Sequence, residues 1–290
     1  MRNLGLDRLK KQKFPNTEWV TVDGAHEILV AKNPHSLLTV AGYLKYICAK
    51  ETGQGVYFRG QRTIYGALSP TLYRGIKNQG ARDSRERSLS NVLSVVRNSA
   101  GIFSSFGAYA HEPLLQHYGI WTTWIDLVDN VWVALWFACN RALSSGKRGE
   151  YLHFEERIAD GTPQYAYILL IAADIVGRNR RKPGYFFGRS TELVDLRMAA
   201  PSIFLRPHAQ HGLLFRRKGE DTGRPLDYSP QVYGIIGVEL SRALDWLGSG
   251  RMVTSHSLFP PPLYDDGYRI LSDIDLGLAD SVGNIMHIGA

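Results

Sequence analysis

Hydrophobic residues change their period part-way along this chain, and that change restricts it to a mixed architecture. Leu37, Val40, Ala41, Leu44, Ile47 and Cys48 recur at helical spacing, as do Leu89, Val92, Leu93, Val96 and Ile102, and Trp132, Leu135, Trp136 and Cys139 form a third apolar face. From residue 165 onward, short β-prone runs take over at 165–172, 203–205, 212–216 and 232–239. The expected fold is α+β, with a mixed, mostly antiparallel sheet in the second half and helices packed around it. No internal repeat or heptad is visible.

Local signals place the boundaries. Two strand-like pieces at 19–22 and 27–30 lie in an N-terminal arm, residues 1–35, closed by Pro34. Ser36 is a candidate N-cap for a helix to about Lys50, which Gly53 and Gly55 stop. Val56-Tyr57-Phe58 reads as a short strand with Arg59 at its tip. Helices are expected at 83–106 and 112–117, and from a cap at Asp129 or Asn130 to Leu143. A charged loop follows at 144–163, and Ser241 opens a short helix to Leu247. The body spans 36–247. Residues 248–290 form an extension packed on it, irregular at Phe259-Pro260-Pro261-Pro262.

The net charge of +7 favours phosphate-bearing partners, a nucleotide or a nucleic acid. The basic residues are nevertheless spread over 77–97, 141–157, 178–189 and 206–224, as on an ordinary solvated surface. Cys48 and Cys139 sit inside apolar helical patterns, which argues for buried thiols and a reducing compartment. The first residues are polar and basic, unlike a secretory signal, and the longest apolar stretches, 131–139 and 165–173, are too short to span a bilayer. A cytoplasmic protein without membrane insertion is expected. The phosphate-binding Gly-x-x-x-x-Gly-Lys loop, the dinucleotide Gly-x-Gly-x-x-Gly, the Gly-x-Ser-x-Gly elbow and His-Glu-x-x-His are all absent from the sequence.

Three segments carry more polar groups than a core needs. In Tyr57-Phe58-Arg59-Gly60-Gln61-Arg62, an arginine at a strand end can make a two-point contact with phosphate or carboxylate, and Gly60 would let a ligand approach the backbone. The same arginine could instead pair with a buried acid to fix the fold. From Leu115 to Asp126, Gln116, His117, Thr122 and Asp126 alternate with large apolar residues, as expected of a segment with one face in a polar cleft. In the third segment, Arg206-Pro207-His208-Ala209-Gln210-His211-Gly212, the two histidines lack the cysteine or acidic partners of a metal set, so no metal is expected.

In this order, Phe58-Arg59-Gly60-Gln61, then Leu115-Gln116-His117-Tyr118-Gly119 with Thr122, Asp126 and Val133-Ala134-Leu135, then Arg206 with Gln210-His211-Gly212, the three segments resemble the FRG-domain family over about 36–240. Where that family commonly has Pro-Thr-Arg-Leu-Leu-Asp-Trp, this chain has Trp121-Thr122-Thr123-Trp124-Ile125-Asp126-Leu127, keeping the threonine and aspartate but not the arginine. The layout is also similar to ADP-ribosyltransferase folds, in which an early arginine holds the NAD phosphates, a hydroxyl segment supports the ribose and a late acid assists an oxocarbenium-like step. That resemblance implies NAD as substrate and Arg59, His117, Asp126 and Gln210 as the catalytic set. Arg59, Gly60, Gln61, Tyr118, Thr122, Arg206 and His211 would contact the nucleotide, with Ser190-Thr191 an alternative to Thr122. Gln210 is no general base, so the carboxylate falls to Glu192 or Asp126.

Three functions follow as expectations. One is an NAD-cleaving or ADP-ribosylating effector of toxin or anti-phage type with a restraining partner protein. The second is a nucleic-acid-binding or nucleic-acid-cleaving protein, of which binding is the better supported because no acidic set for two metals is visible. The third is a regulatory domain in which Arg59, Asp126 and Gln210 form a polar network with no substrate. A cleft faced by Arg59 would count against the third.

Overall fold

The computed structural model describes residues 5–24, 26–146, 149–175, 181–218, 226–276 and 282–288. Twelve strands are formed among them: β1 (Thr17–Val22), β2 (His26–Ala31), β3 (Gly55–Gln61), β4 (Ile125–Val128), β5 (Asn140–Ser145), β6 (Tyr151–Glu156), β7 (Tyr165–Ala173), β8 (Tyr185–Phe187), β9 (Thr191–Asp195), β10 (Gly212–Arg217), β11 (Val232–Glu239) and β12 (His287–Ile288). Nine make one sheet, in the order β1-β2-β11-β7-β3-β4-β10-β9-β8, and β12-β6-β5 make a second. In the large sheet only β2 and β11 run parallel. The fold is therefore α+β with a mixed, mostly antiparallel sheet, but that sheet recruits strands from the whole chain and is not confined to the second half. The two N-terminal strands belong to it.

Burial is nearly continuous along β7, β9 and β11 because the sheet is covered on both faces. Val56, Phe58, Ile168 and Leu170 meet Leu37, Val40, Leu44 and Cys48 of the Pro34–Thr52 helix and the apolar Val131–Cys139 helix. On the opposite face Leu169, Ile171, Leu213 and Phe215 pack with Ile64, Leu68 and Tyr228. A further cluster joins Leu214 and Val194 to the Gln79–Ser99, His111–His117 and Asp266–Ser272 helices. No described helix is long and apolar enough to cross a membrane.

Several boundaries differ from expectation for local reasons. Asn33, not Ser36, caps the first long helix: its side chain accepts from the Ser36 N–H while the Ser36 hydroxyl accepts from the Asn33 N–H. The second helix is Gln79–Ser99, capped by Asn78, and a 3-10 turn at Gly101–Ser104 replaces its expected last residues. The Val131–Cys139 helix, capped by Asn130, stops four residues early. There the Asn140 amide donates to the Trp136 carbonyl at 2.8 Å and the chain turns into β5. β5 and β6 thus form a hairpin where a loop is expected, with Gly146 and Gly149 at positive φ in its turn. Residues 203–205 are not a strand; Leu205–Ala209 is a helical turn instead. β8 and β9 were not signalled at all.

Candidate functional site

β3 and β4 share a single paired position, Phe58 opposite Val128, after which the strands part. A cavity of about 890 Å3 opens at this fork. The Phe58–Arg62 run of β3 and the Asp126–Val128 end of β4 line it, with Gln116, His117 and Tyr118, the β5–β6 hairpin residues Asn140, Ala142, Leu152 and Phe154, then Arg206, Gln210 and Phe259. The three polar segments of the sequence therefore meet at one place. Its size is that of a small-molecule site.

Asp126 is the centre of the polar wall. Its side chain is 40 % exposed, whereas the His117 side chain beside it is buried at 2 %. His117 Nδ1 lies 3.3 Å from one carboxylate oxygen, and the Gln116 amide donates to the other at 3.0 Å. Burial pushes the Asp126 carboxyl upward, but the hydrogen bond and charge of His117, the Arg59 charge and the Gln116 amide outweigh it and hold the group below the usual carboxylate range. The group is ionised at neutral pH. Gln116 is fixed in turn, its oxygen accepting from the Thr122 N–H at 3.2 Å and the Thr122 hydroxyl at 2.8 Å.

Arg59 reaches across the fork and donates from Nη1 to the Asp126 backbone carbonyl at 2.6 Å. It forms no ion pair with a buried acid among the described residues. Burial draws its pKa down to about 10, partly offset by the Asp126 charge, so it remains a cation at neutral pH. Its Nε has no partner, and neither do Gln61 Oε1, His117 Nε2, and Nε and Nη2 of Arg206, all in residues that line the same cavity. Buried polar atoms normally find partners, and a cluster lacking them around one space is what a polar ligand would complete.

Not every expected residue reaches the cavity. Arg59, Gly60, Gln61, His117, Tyr118, Asp126, Arg206 and Gln210 line it. Thr122 does not: it is fully buried beneath the wall, its hydroxyl donating to Gln116 and accepting from the Trp124 N–H. Nor does His211, which adopts φ 54° and faces Asp129 at 3.4 Å and Arg197 at 3.4 Å. The Gln210 amide donates to the Leu258 carbonyl at 2.8 Å, which ties it to the backbone. Gly60 lines the cavity, yet its missing side chain answers first to packing, because a Cβ there would come 1.8 Å from the Ala134 carbonyl oxygen. Of the two candidate carboxylates Asp126 is in the cavity. Glu192 instead pairs with Arg216 and accepts from the Tyr185 hydroxyl, and Ser190 and Thr191 hydrogen-bond Asp174.

Sequence reasoning missed the aromatic wall of Phe137, Phe154 and Phe259 and the rim of Arg62, Tyr65 and Arg74. It also missed Asp265, fully buried below the cavity. This carboxylate accepts from the Tyr118 hydroxyl at 2.7 Å, the Arg206 N–H at 3.1 Å and the Tyr268 N–H at 2.8 Å. An Asp265→Asn change turns one acceptor into a donor facing donors, and is expected to lower stability by about 2 kcal/mol, measured by urea unfolding.

An α+β scaffold with a cationic, aromatic-walled cavity at a strand fork is the class these features define. Residues 54–147 match the family model described as FRG domain, and the chain contains an FRG domain there. The match includes Arg59, Gly60, Gln61, His117, Tyr118, Thr122 and Asp126 and ends before Arg206, Gln210 and His211. No curated protein and no solved structure matches the chain. Among the described residues no group of three or more His, Cys, Asp or Glu side chains is placed to hold a metal ion.

Proposed function

We propose that the cavity binds NAD and cleaves its nicotinamide–ribose bond, releasing ADP-ribose to water or transferring it to an acceptor, in the manner of an ADP-ribosyltransferase or NAD glycohydrolase. The observation that carries this reading is the ionised Asp126 carboxylate, open to a cavity in which the Arg59 guanidinium keeps an unpartnered N–H. A fixed carboxylate stabilises positive charge as it develops on the ribose, and an arginine suits the pyrophosphate. The aromatic wall suits a base or a nicotinamide ring. The early arginine and the mid-chain segment follow the ADP-ribosyltransferase layout, with Asp126 supplying the carboxylate that Gln210 lacks.

In the step itself the bond from ribose C1′ to the nicotinamide nitrogen breaks and its electron pair leaves with neutral nicotinamide. Water or an acceptor hydroxyl adds to C1′ and releases its proton, which Asp126 can accept and pass to solvent. His117 and Gln116 hold the carboxylate in place, and Arg59 holds the phosphates.

Nicotinamide release by purified protein incubated with NAD tests this. Arg59→Ala is expected to reduce release at least tenfold, about the worth of a charge-assisted bond. A wild-type protein that neither binds nor cleaves NAD would overturn the proposal. A second reading, nucleic-acid binding, draws on the exposed basic and aromatic rim of Arg62, Tyr65 and Arg74. It predicts affinity for short DNA or RNA that falls steeply with salt.

A further inference from the structure

Arg206 is 1 % exposed, and no carboxylate pairs with it among the described ion pairs. Its guanidinium lies 4.3 Å from the Tyr118 ring centroid, 4.7 Å from Tyr268 and 5.4 Å from Phe259. Rings partly compensate a desolvated cation through their faces, but a ring face is a poor partner for directed N–H groups. The nearby acid, Asp265, takes the Arg206 backbone N–H, and the Tyr268 hydroxyl donates to the Met286 carbonyl. Nη1 of Arg206 donates to the His117 carbonyl at 3.2 Å, and the Tyr268 hydroxyl is near enough to favour the charged guanidinium. Nε and Nη2, the two nitrogens on one edge of the guanidinium, have no partner.

That edge is the fork that grips two oxygens of a phosphate or carboxylate at once. The family resemblance already implies that Arg206 contacts a nucleotide; the unpartnered edge shows which of its atoms would do so. Arg59 resembles it in part in the same cavity, with Nη1 on a backbone carbonyl and Nε unpartnered. We infer that Arg206 is a second oxyanion subsite, so that the cavity takes a ligand bearing two anionic groups, one on Arg59 and one on Arg206. Naming those groups as the two phosphates of a dinucleotide rests on the NAD reading; the subsite itself rests on the unpartnered fork.

Inorganic pyrophosphate titrated into the full chain by calorimetry is the direct probe. Wild-type protein is expected to bind it, and Arg206→Met, which fills the aromatic cage without charge, to bind at least tenfold more weakly. Arg206→Lys keeps the charge and removes the fork, so it decides the matter if the methionine variant does not fold, and the same tenfold loss is expected. Unchanged affinity in either folded variant, or no binding by wild type, overturns the inference and leaves Arg206 a structural cation. Pyrophosphate binding that depends on Arg206 in a protein that does not cleave NAD would remove the NAD reading and keep the subsite. NAD cleavage dependent on Asp126, with pyrophosphate binding insensitive to Arg206, would do the reverse.

Discussion

Gly60→Ala is expected to destabilise the protein by about 3 kcal/mol or more, and to lower its melting temperature by on the order of 10 °C. The added methyl would lie 1.8 Å from the Ala134 carbonyl oxygen, 2.8 Å from its carbon and 2.9 Å from the Ala138 nitrogen, all backbone atoms of the Val131–Cys139 helix. No rotamer relieves such a contact. The helix must move off β3, and with it the packing of Val133, Ala134 and Trp136 against Phe58 and Ile168. Thermal unfolding of the variant beside wild type measures the effect. A variant that keeps its melting temperature but loses ligand binding would instead show that the glycine serves ligand approach, the role its place in the sequence suggests.

Much of the scaffold was legible because it depends on local patterns. The strands near 19–22, 27–30, 165–172, 212–216 and 232–239 stand within a residue or two of β1, β2, β7, β10 and β11, since each is a run of β-prone residues bounded by breakers. The β5–β6 hairpin was not legible. Its outward positions are mostly polar or exposed, and it is held by pairing with β12 from the far end of the chain and by the stack of Phe154 on Phe259. Neither contact leaves a periodic signature.

The site was legible in part for a similar reason. Arg59, His117 and Asp126 stand out as polar residues interrupting apolar runs. A threonine in such a run looks the same whether it faces a cleft or, like Thr122, lies beneath one with its hydroxyl bonded to Gln116 and Trp124. Asp265 could not be paired with Tyr118 from sequence, because 147 residues separate them and its neighbours are prolines and an exposed tyrosine. What makes these residues a site is the failure of β3 and β4 to stay paired beyond Phe58 and Val128, and strand pairing is the property single-sequence patterns carry least.

Asp126→Asn carries the largest functional expectation: nicotinamide release should fall at least a hundredfold, the scale seen when a fixed group that stabilises developing charge is removed. Both carboxylate oxygens face donors, the Gln116 amide and His117 Nδ1. An asparagine must turn its own NH2 toward one of them, so the change removes the negative charge and also loosens the wall. Stability measured alongside activity separates the two effects; the unfavourable donor contact should cost about 1–3 kcal/mol, too little to unfold the protein at room temperature. The pH dependence gives an independent check. Because the folded protein holds the Asp126 carboxyl below its unfolded value, the group's contribution to stability is complete above the unfolded value and disappears as pH falls through the folded one. Activity that needs the ionised form follows the same limb, so the acid arm of the wild-type rate profile should lie below the ordinary aspartate value of 3.8 and be missing from the residual rate of the variant. An acid arm retained in Asp126→Asn would assign that titration to another group and withdraw Asp126 from the chemistry.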